Sequence, residues 1–132
     1  MPVSFIGPLS AHLVAHGVGY TLGLRHDVKA SSIYTLAEIS SGELKGKKAF
    51  AGSVMDYLPI NLRLKEATVQ GDYAMIKLGP HDRWTIQYGY GFEKDQSKIL
   101  NRVSVAQLQF TTDEDILGPD PLARRYDVSK NP

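Results

Sequence analysis

The sequence contains no cysteine. Disulfides, thiolate nucleophiles and sulfur-ligated zinc or iron–sulfur sites are therefore excluded, although the absence does not by itself fix a compartment. An excess of charge of either sign is also missing. Fifteen basic and 14 acidic residues leave a formal charge of +1. That balance gives no strong electrostatic pull on nucleic acid, and only a local patch stays open as a contact. No apolar run approaches the roughly 18 residues that span a bilayer. The opening stretch MPVSFIGPLSAHLVAHG lacks a basic n-region and is interrupted by proline and histidine, so it does not read as a signal peptide. A virion or the cytoplasm is the expected location. There is no internal repeat and no low-complexity block.

What is present reads as β-rich. At 132 residues the chain fits one domain, 1–132, able to bury a core without disulfides or metal. Residues 83–92, RWTIQYGYGF, place Trp84, Ile86, Tyr88, Tyr90 and Phe92 on one parity and small or polar residues on the other. Strand side chains alternate between faces, so this pattern predicts a strand with one aromatic face. Residues 11–27 alternate in the same way, with Val18, Tyr20, Leu22 and Leu24 opposed to Gly17, Gly19, Thr21 and Gly23. Three interior glycines argue against a helix there, at about 1 kcal/mol each relative to alanine. A short helix over residues 10–16, capped by Ser10, is the alternative.

Further strands are expected at residues 33–40, 60–69 and 73–78, with a bulge near Lys65 and Glu66. Residues 99–112 fit either a strand or a helix and favour a strand. The fold class predicted is all-β: an antiparallel barrel or sandwich of about seven or eight strands. An extended arm (1–10) precedes it and an irregular surface tail (113–132) follows.

Candidate chemistry is thin. If residues 11–27 are a strand, His12 and His16 lie about 13 Å apart and cannot share a metal. If they are helical, the two at i, i+4 can share a zinc, with His81 or Asp82 as a further ligand. No HExxH motif is present, and no metal or other cofactor is expected. His81–Asp82 and His26–Asp27 are neighbouring pairs suited to general-base chemistry only if the fold brings their side chains together, and turn chemistry explains them equally well. Asp113, Glu114 and Asp115 form an acidic turn, most simply solvated. Ser10, Ser53 and Ser104 lack a nucleophile-elbow context. No catalytic residue is assigned.

The segment RVSVAQLQFTTDED, residues 102–115, resembles the last strand and following acidic turn of coat proteins from small RNA bacteriophages. Those proteins continue into a long apolar helix, whereas this chain continues GPDPLARRYDV, and no residue role carries over. Two functions are expected from the sequence. The first is a non-enzymatic structural subunit, a homo-oligomeric coat, decoration or filament protein whose arm residues Val3, Phe5 and Ile6 make assembly contacts. The alternative is a small β-barrel that binds an apolar or aromatic ligand among Tyr20, Trp84, Tyr88, Tyr90 and His81, with isomerase or cyclase activity.

Overall fold

The computed structural model of the chain describes residues 3–62 and 69–131. Among these residues there is no β-strand. The chain forms helix α1 (Val3–Thr21), a 3-10 turn at Ala30–Ile33, and a one-turn helix α2 (Leu36–Ile39). Later in the chain come α3 (Pro80–Tyr90), the short α4 (Ser97–Leu100), and 3-10 turns at Ala106–Leu108 and Asp113–Asp115. The all-β barrel or sandwich is therefore overturned. The self-assembling β-subunit and the β-barrel ligand binder fall with it, since each needed a sheet. The bulge expected near Lys65 and Glu66 lies outside the described residues.

The helix at residues 3–21 replaces both the extended arm and the first long strand. Phe5, Pro8, Leu9, His12, Ala15, His16 and Gly19 form its more buried side. Their spacing of three and four is that of one helix face. Pro8 lies inside α1, at its sixth residue, and removes one intrahelical hydrogen bond there. Phe5, expected to reach a neighbouring copy, packs edge-on against Tyr73 of its own chain, with centroids 5.2 Å apart.

The aromatic segment also coils. Gly79 caps α3, Pro80 occupies its first turn, and the Asp82 carboxylate accepts the Gly79 N–H at 2.7 Å. Proline at the first helical position and an acidic residue in the first turn favour a helix start. Trp84 and Tyr88, two of the residues read as one strand face, are i, i+4 neighbours and stack at 6.3 Å. Phe92 projects into solvent, being 103% exposed, and Tyr90 is partly exposed. The strand favoured over residues 99–112 is α4 and a 3-10 turn instead, and a capping box between Thr35 and Glu38 starts α2 where another strand was expected.

The core lies beneath α1. Residues 50–56, FAGSVMD, are all buried. Phe50, Ala51, Val54 and Met55 cluster with Ile39 and Met75, and Ala15, Leu24, Leu58 and Val128 pack against them. A buried irregular segment must still satisfy its backbone. Here single bridges and carboxylates do so. Gly52 N–H reaches the Ala30 carbonyl at 2.8 Å, His81 N–H reaches Gly52 at 2.9 Å, and Val28 N–H reaches Thr111 at 2.9 Å. The segment after residue 113 is irregular beyond its 3-10 turn and is tied to the rest of the chain. Ala123 is fully buried, and the N–H groups of Arg124, Tyr126 and Lys130 bond to the carbonyls of Val28, Tyr57 and Tyr34.

Candidate functional site

The site forms where α1 stops. Gly23 adopts φ +78°, in the left-handed region that glycine tolerates best. The Leu24 N–H bonds to the Gly19 carbonyl and the Gly23 N–H to that of Tyr20, both at 3.0 Å. This pair of bonds is the Schellman ending of a helix. It reverses the chain, so His26 returns beside the last turns of α1. The His26 ring then lies 5.4 Å from that of His16 and 5.3 Å from that of Tyr20.

Met55 forms the floor. Gly19 is the one buried residue of α1, and a Cβ on it would lie 2.1 Å from Met55 Sδ. Only glycine allows so close an approach. The loop carrying Met55 is pinned by Asp82 at the third position of α3. Its carboxylate accepts from Ser53 Oγ at 2.5 Å and from Val54 N–H at 3.0 Å, as well as from Gly79. General-base chemistry at His81 and Asp82 was open only if their side chains met; Asp82 is instead committed to this clamp.

Each histidine is held by its Nδ1. His16 Nδ1 donates to the Val54 carbonyl at 2.8 Å. His26 Nδ1 donates to Asp113 Oδ2 at 2.7 Å, and Arg125 bonds the other oxygen of that carboxylate. These contacts, the His26 hydrogen bond first, hold the Asp113 carboxyl below its ordinary range. Both Nε2 atoms then converge on the Tyr20 hydroxyl, 3.1 Å from His16 and in hydrogen-bond contact with His26. Burial, reinforced by Tyr57, pushes the Tyr20 phenol up. The Tyr57 ring packs against His26 at 4.1 Å and carries the Arg125 guanidinium at 5.1 Å. A cleft of about 280 Å³ runs alongside, lined by Leu9, His12, Leu13, His16, Tyr57 and Tyr126, among others.

The residues singled out from sequence scatter over the molecule. Tyr20 is in this site. His81 and Trp84 line a separate, largely apolar cavity of about 330 Å³ with Leu24, Met55, Leu108 and Phe110. Tyr88 stacks on Trp84, and the Tyr90 hydroxyl donates to the Leu22 carbonyl at 2.9 Å. Val3 and Ile6 are exposed on α1. His12 is one turn from His16, with ring centroids 6.4 Å apart, but His81 and Asp82 do not join them. His26, Met55, Asp82 and Asp113 carry the arrangement, and sequence reasoning missed the role of each. The available signal was a ten-residue step from His16 to His26 with Gly23 between, followed by an isolated buried methionine.

That spacing has a chemical meaning. In metzincins H-E-x-x-H-x-x-G-x-x-H on a helix and its glycine turn supplies three imidazoles to zinc, with the glutamate as general base and a methionine turn beneath. Here the series runs His16, Gly17, Tyr20, Gly23, His26, and Met55 lies below it. The first and third ligand positions, the glycine and the methionine are kept. The glutamate position is Gly17 and the second ligand position is Tyr20. Among the described residues no three His, Cys, Asp or Glu side chains gather around a common point. The residues present therefore do not complete a hydrolytic zinc centre. A family model described as Met-zincin matches residues 1–132. No curated protein and no solved structure matches the chain.

Proposed function

The chain belongs to the Met-zincin family, and from that premise we propose that it is a hydrolytically silent Met-zincin domain, one that holds a polypeptide segment in the cleft along α1 without cutting it. The observation that carries this reading is Gly17. It stands where the general base belongs, it is exposed, and a Cβ there would meet nothing within 4 Å. The site thus has room for a carboxylate and lacks one. A positioned general base is worth about 10²–10⁴-fold in rate, and replacing one imidazole by a phenol alters the metal's donor set as well. Of the buried carboxylates, Asp82 is engaged in its clamp and Asp56 accepts the Ser31 N–H at 2.8 Å. The cleft beside His16 supports the binding half, since Leu9, Leu13 and Leu58 offer apolar contacts between the histidine and tyrosine rings.

The test is a peptide-library hydrolysis assay on purified chain supplied with zinc. Wild type is expected to release no fragments above buffer, and the Gly17→Glu, Tyr20→His double variant to gain chelator-sensitive cleavage. Chelator-sensitive cleavage by the wild-type chain would overturn the reading. As for location, among the described residues no helix is long and apolar enough to cross a membrane.

A further inference from the structure

We propose that the cleft along α1 takes up a basic side chain of the polypeptide it holds, a lysine or an arginine, with the Asp56 carboxylate as the counter-charge. The inference rests on the silent-domain reading above and names the class of segment that such a domain would hold. It starts from a buried carboxyl with a spare oxygen. Asp56 is 1% exposed and lines the cleft with Leu9, Leu13, Leu58, Tyr57 and Tyr126, so what reaches it comes through the cleft. Among the described residues, no other carboxylate and no lysine or arginine lines that space. Asp56 Oδ2 accepts the Ser31 N–H at 2.8 Å, and the Ser31 hydroxyl donates to Asp127 Oδ2 at 2.9 Å. Oδ1 of each of the two carboxyls is buried and has no hydrogen-bond partner among the described residues. The large majority of buried side-chain polar atoms are paired, so two orphaned carboxyl oxygens tied to one serine call for a donor.

The walls select which donor fits. Leu9, Leu13 and Leu58 suit the methylene stem of a long basic side chain. The Tyr57 and Tyr126 rings, with centroids 6.0 Å apart, offer faces that attract a cation. Arg125, already over Tyr57, has its own charge met by Asp113. A volume of about 280 Å³ is at the low end for ligand sites, so a single side chain enters rather than a folded element. Empty, the Asp56 carboxyl is pushed up to about 8, first by burial and then by the neighbouring Asp127 and Asp27. An ammonium or guanidinium beside Oδ1 favours the charged form. The carboxyl proton therefore passes to solvent as the basic side chain enters, and binding tightens as pH rises towards 8. His12, His16, Tyr57 and Tyr126 are the other titratable groups lining the cleft. Protonated histidines would repel the same cation at low pH, so the comparison with Asp56→Asn isolates the carboxyl's share.

The experiment passes a positional-scanning library of acetylated, amidated peptides over the immobilised full chain and measures the affinities of the selected peptides by calorimetry. Lysine or arginine is expected to dominate at one position, and norleucine in its place to weaken binding at least about tenfold. Affinity for the basic peptide should rise between about pH 6 and about pH 8. Asp56→Asn keeps an oxygen for the Ser31 N–H, so the fold is retained. It should erase most of the preference and much of the pH dependence while leaving the affinity for the norleucine peptide unchanged. Free spermidine, a cation that is not a polypeptide, should compete far less well than the peptide. Peptides captured with no basic preference, a preference undiminished in Asp56→Asn, or spermidine matching the peptide would each overturn the proposal and leave the silent-domain reading intact. Capture of no peptide at all would overturn the binding half of that reading and this inference with it. Cleavage of the basic peptides would overturn the silence and leave the preference standing.

Discussion

Two glycines of α1, two residues apart, provide a matched test of how the helix is seated. Replacing either by alanine in a helix interior gains about 0.5–1 kcal/mol from helix propensity. At Gly17 nothing opposes that gain, because the new Cβ meets no atom within 4 Å. At Gly19 the new Cβ would lie 2.1 Å from Met55 Sδ, 3.2 Å from Cε and 3.5 Å from Cγ. Ordinary carbon contacts are about 3.5–4.0 Å, so the sulfur must move by more than 1 Å. Met55 is 1% exposed and belongs to the core cluster with Ile39, Phe50, Val54 and Met75, and its sulfur lies mid-chain rather than at the free end of the side chain. Overpacking of this kind costs about 1–3 kcal/mol. Gly17→Ala is therefore expected to stabilise by about 0.5–1 kcal/mol, and Gly19→Ala to be neutral or to destabilise by up to about 2 kcal/mol. Urea unfolding midpoints at constant slope measure both. A second arm separates clash from other causes. In a Met55→Ala background, itself about 2–5 kcal/mol less stable from the cavity left behind, Gly19→Ala should become favourable, giving a non-zero coupling energy. Equal shifts at the two glycines, or additivity with Met55→Ala, would refute the seating of α1 on this methionine.

Two further outcomes follow from buried carboxylates. Asp82→Ala strips the acceptors from Ser53, Val54 and Gly79, and should cost about 3 kcal/mol, with the His16 ring reoriented as the Val54 carbonyl drifts; urea unfolding and the His16 imidazole signals in NMR check this. Burial pushes Asp56 up to about 8 and Asp27 up to about 7, against an ordinary 3.8 for each. Between those limits the folded chain keeps protons that the unfolded chain has released. Their favourable contribution is thus fully present below about pH 4 and is lost as pH rises through 7 and 8. Stability should fall from pH 5 to pH 8 by on the order of a few kcal/mol, and Asp56→Asn should flatten that slope; unfolding midpoints that rise over the same window would contradict it.

The sequence held more of this architecture than a period-two reading extracts. In residues 18–24 the alternation of Val, Gly, Tyr, Thr, Leu and Gly matches a strand, yet Phe5, Leu9, His12, Ala15, His16 and Gly19 repeat at three and four along α1. Alternation misled because glycines make any face look small, although Gly19 is small to admit Met55 and Gly23 is glycine to end a helix. In α3, Trp84 and Tyr88 satisfy both periods, so the discriminating signal was the Gly79-Pro80-His81-Asp82 start. A helix over residues 10–16 and an i, i+4 relation between His12 and His16 were legible as alternatives. The site was not, since its usual signature requires the glutamate and second histidine that Gly17 and Tyr20 displace. Nor could local pattern reveal that Asp113 would orient His26 across 87 positions of chain. Long buried coil, such as residues 50–56, carries no periodicity at all and is specified by partners distant in sequence.

The late residues' grip on early ones has a kinetic side. Arg25 meets Glu114, Lys29 meets Asp120 and Ser31 meets Asp127, partners 89, 91 and 96 positions apart. Closing loops of that size must precede the contacts that reward them, which slows folding relative to an ordinary helical protein. During synthesis the α1 end can coil early, but the ring of His26 has no carboxylate to lean on until Asp113 has left the ribosome, and the Val28 carbonyl waits longer still for Arg124. The centre cannot set until that late segment has docked.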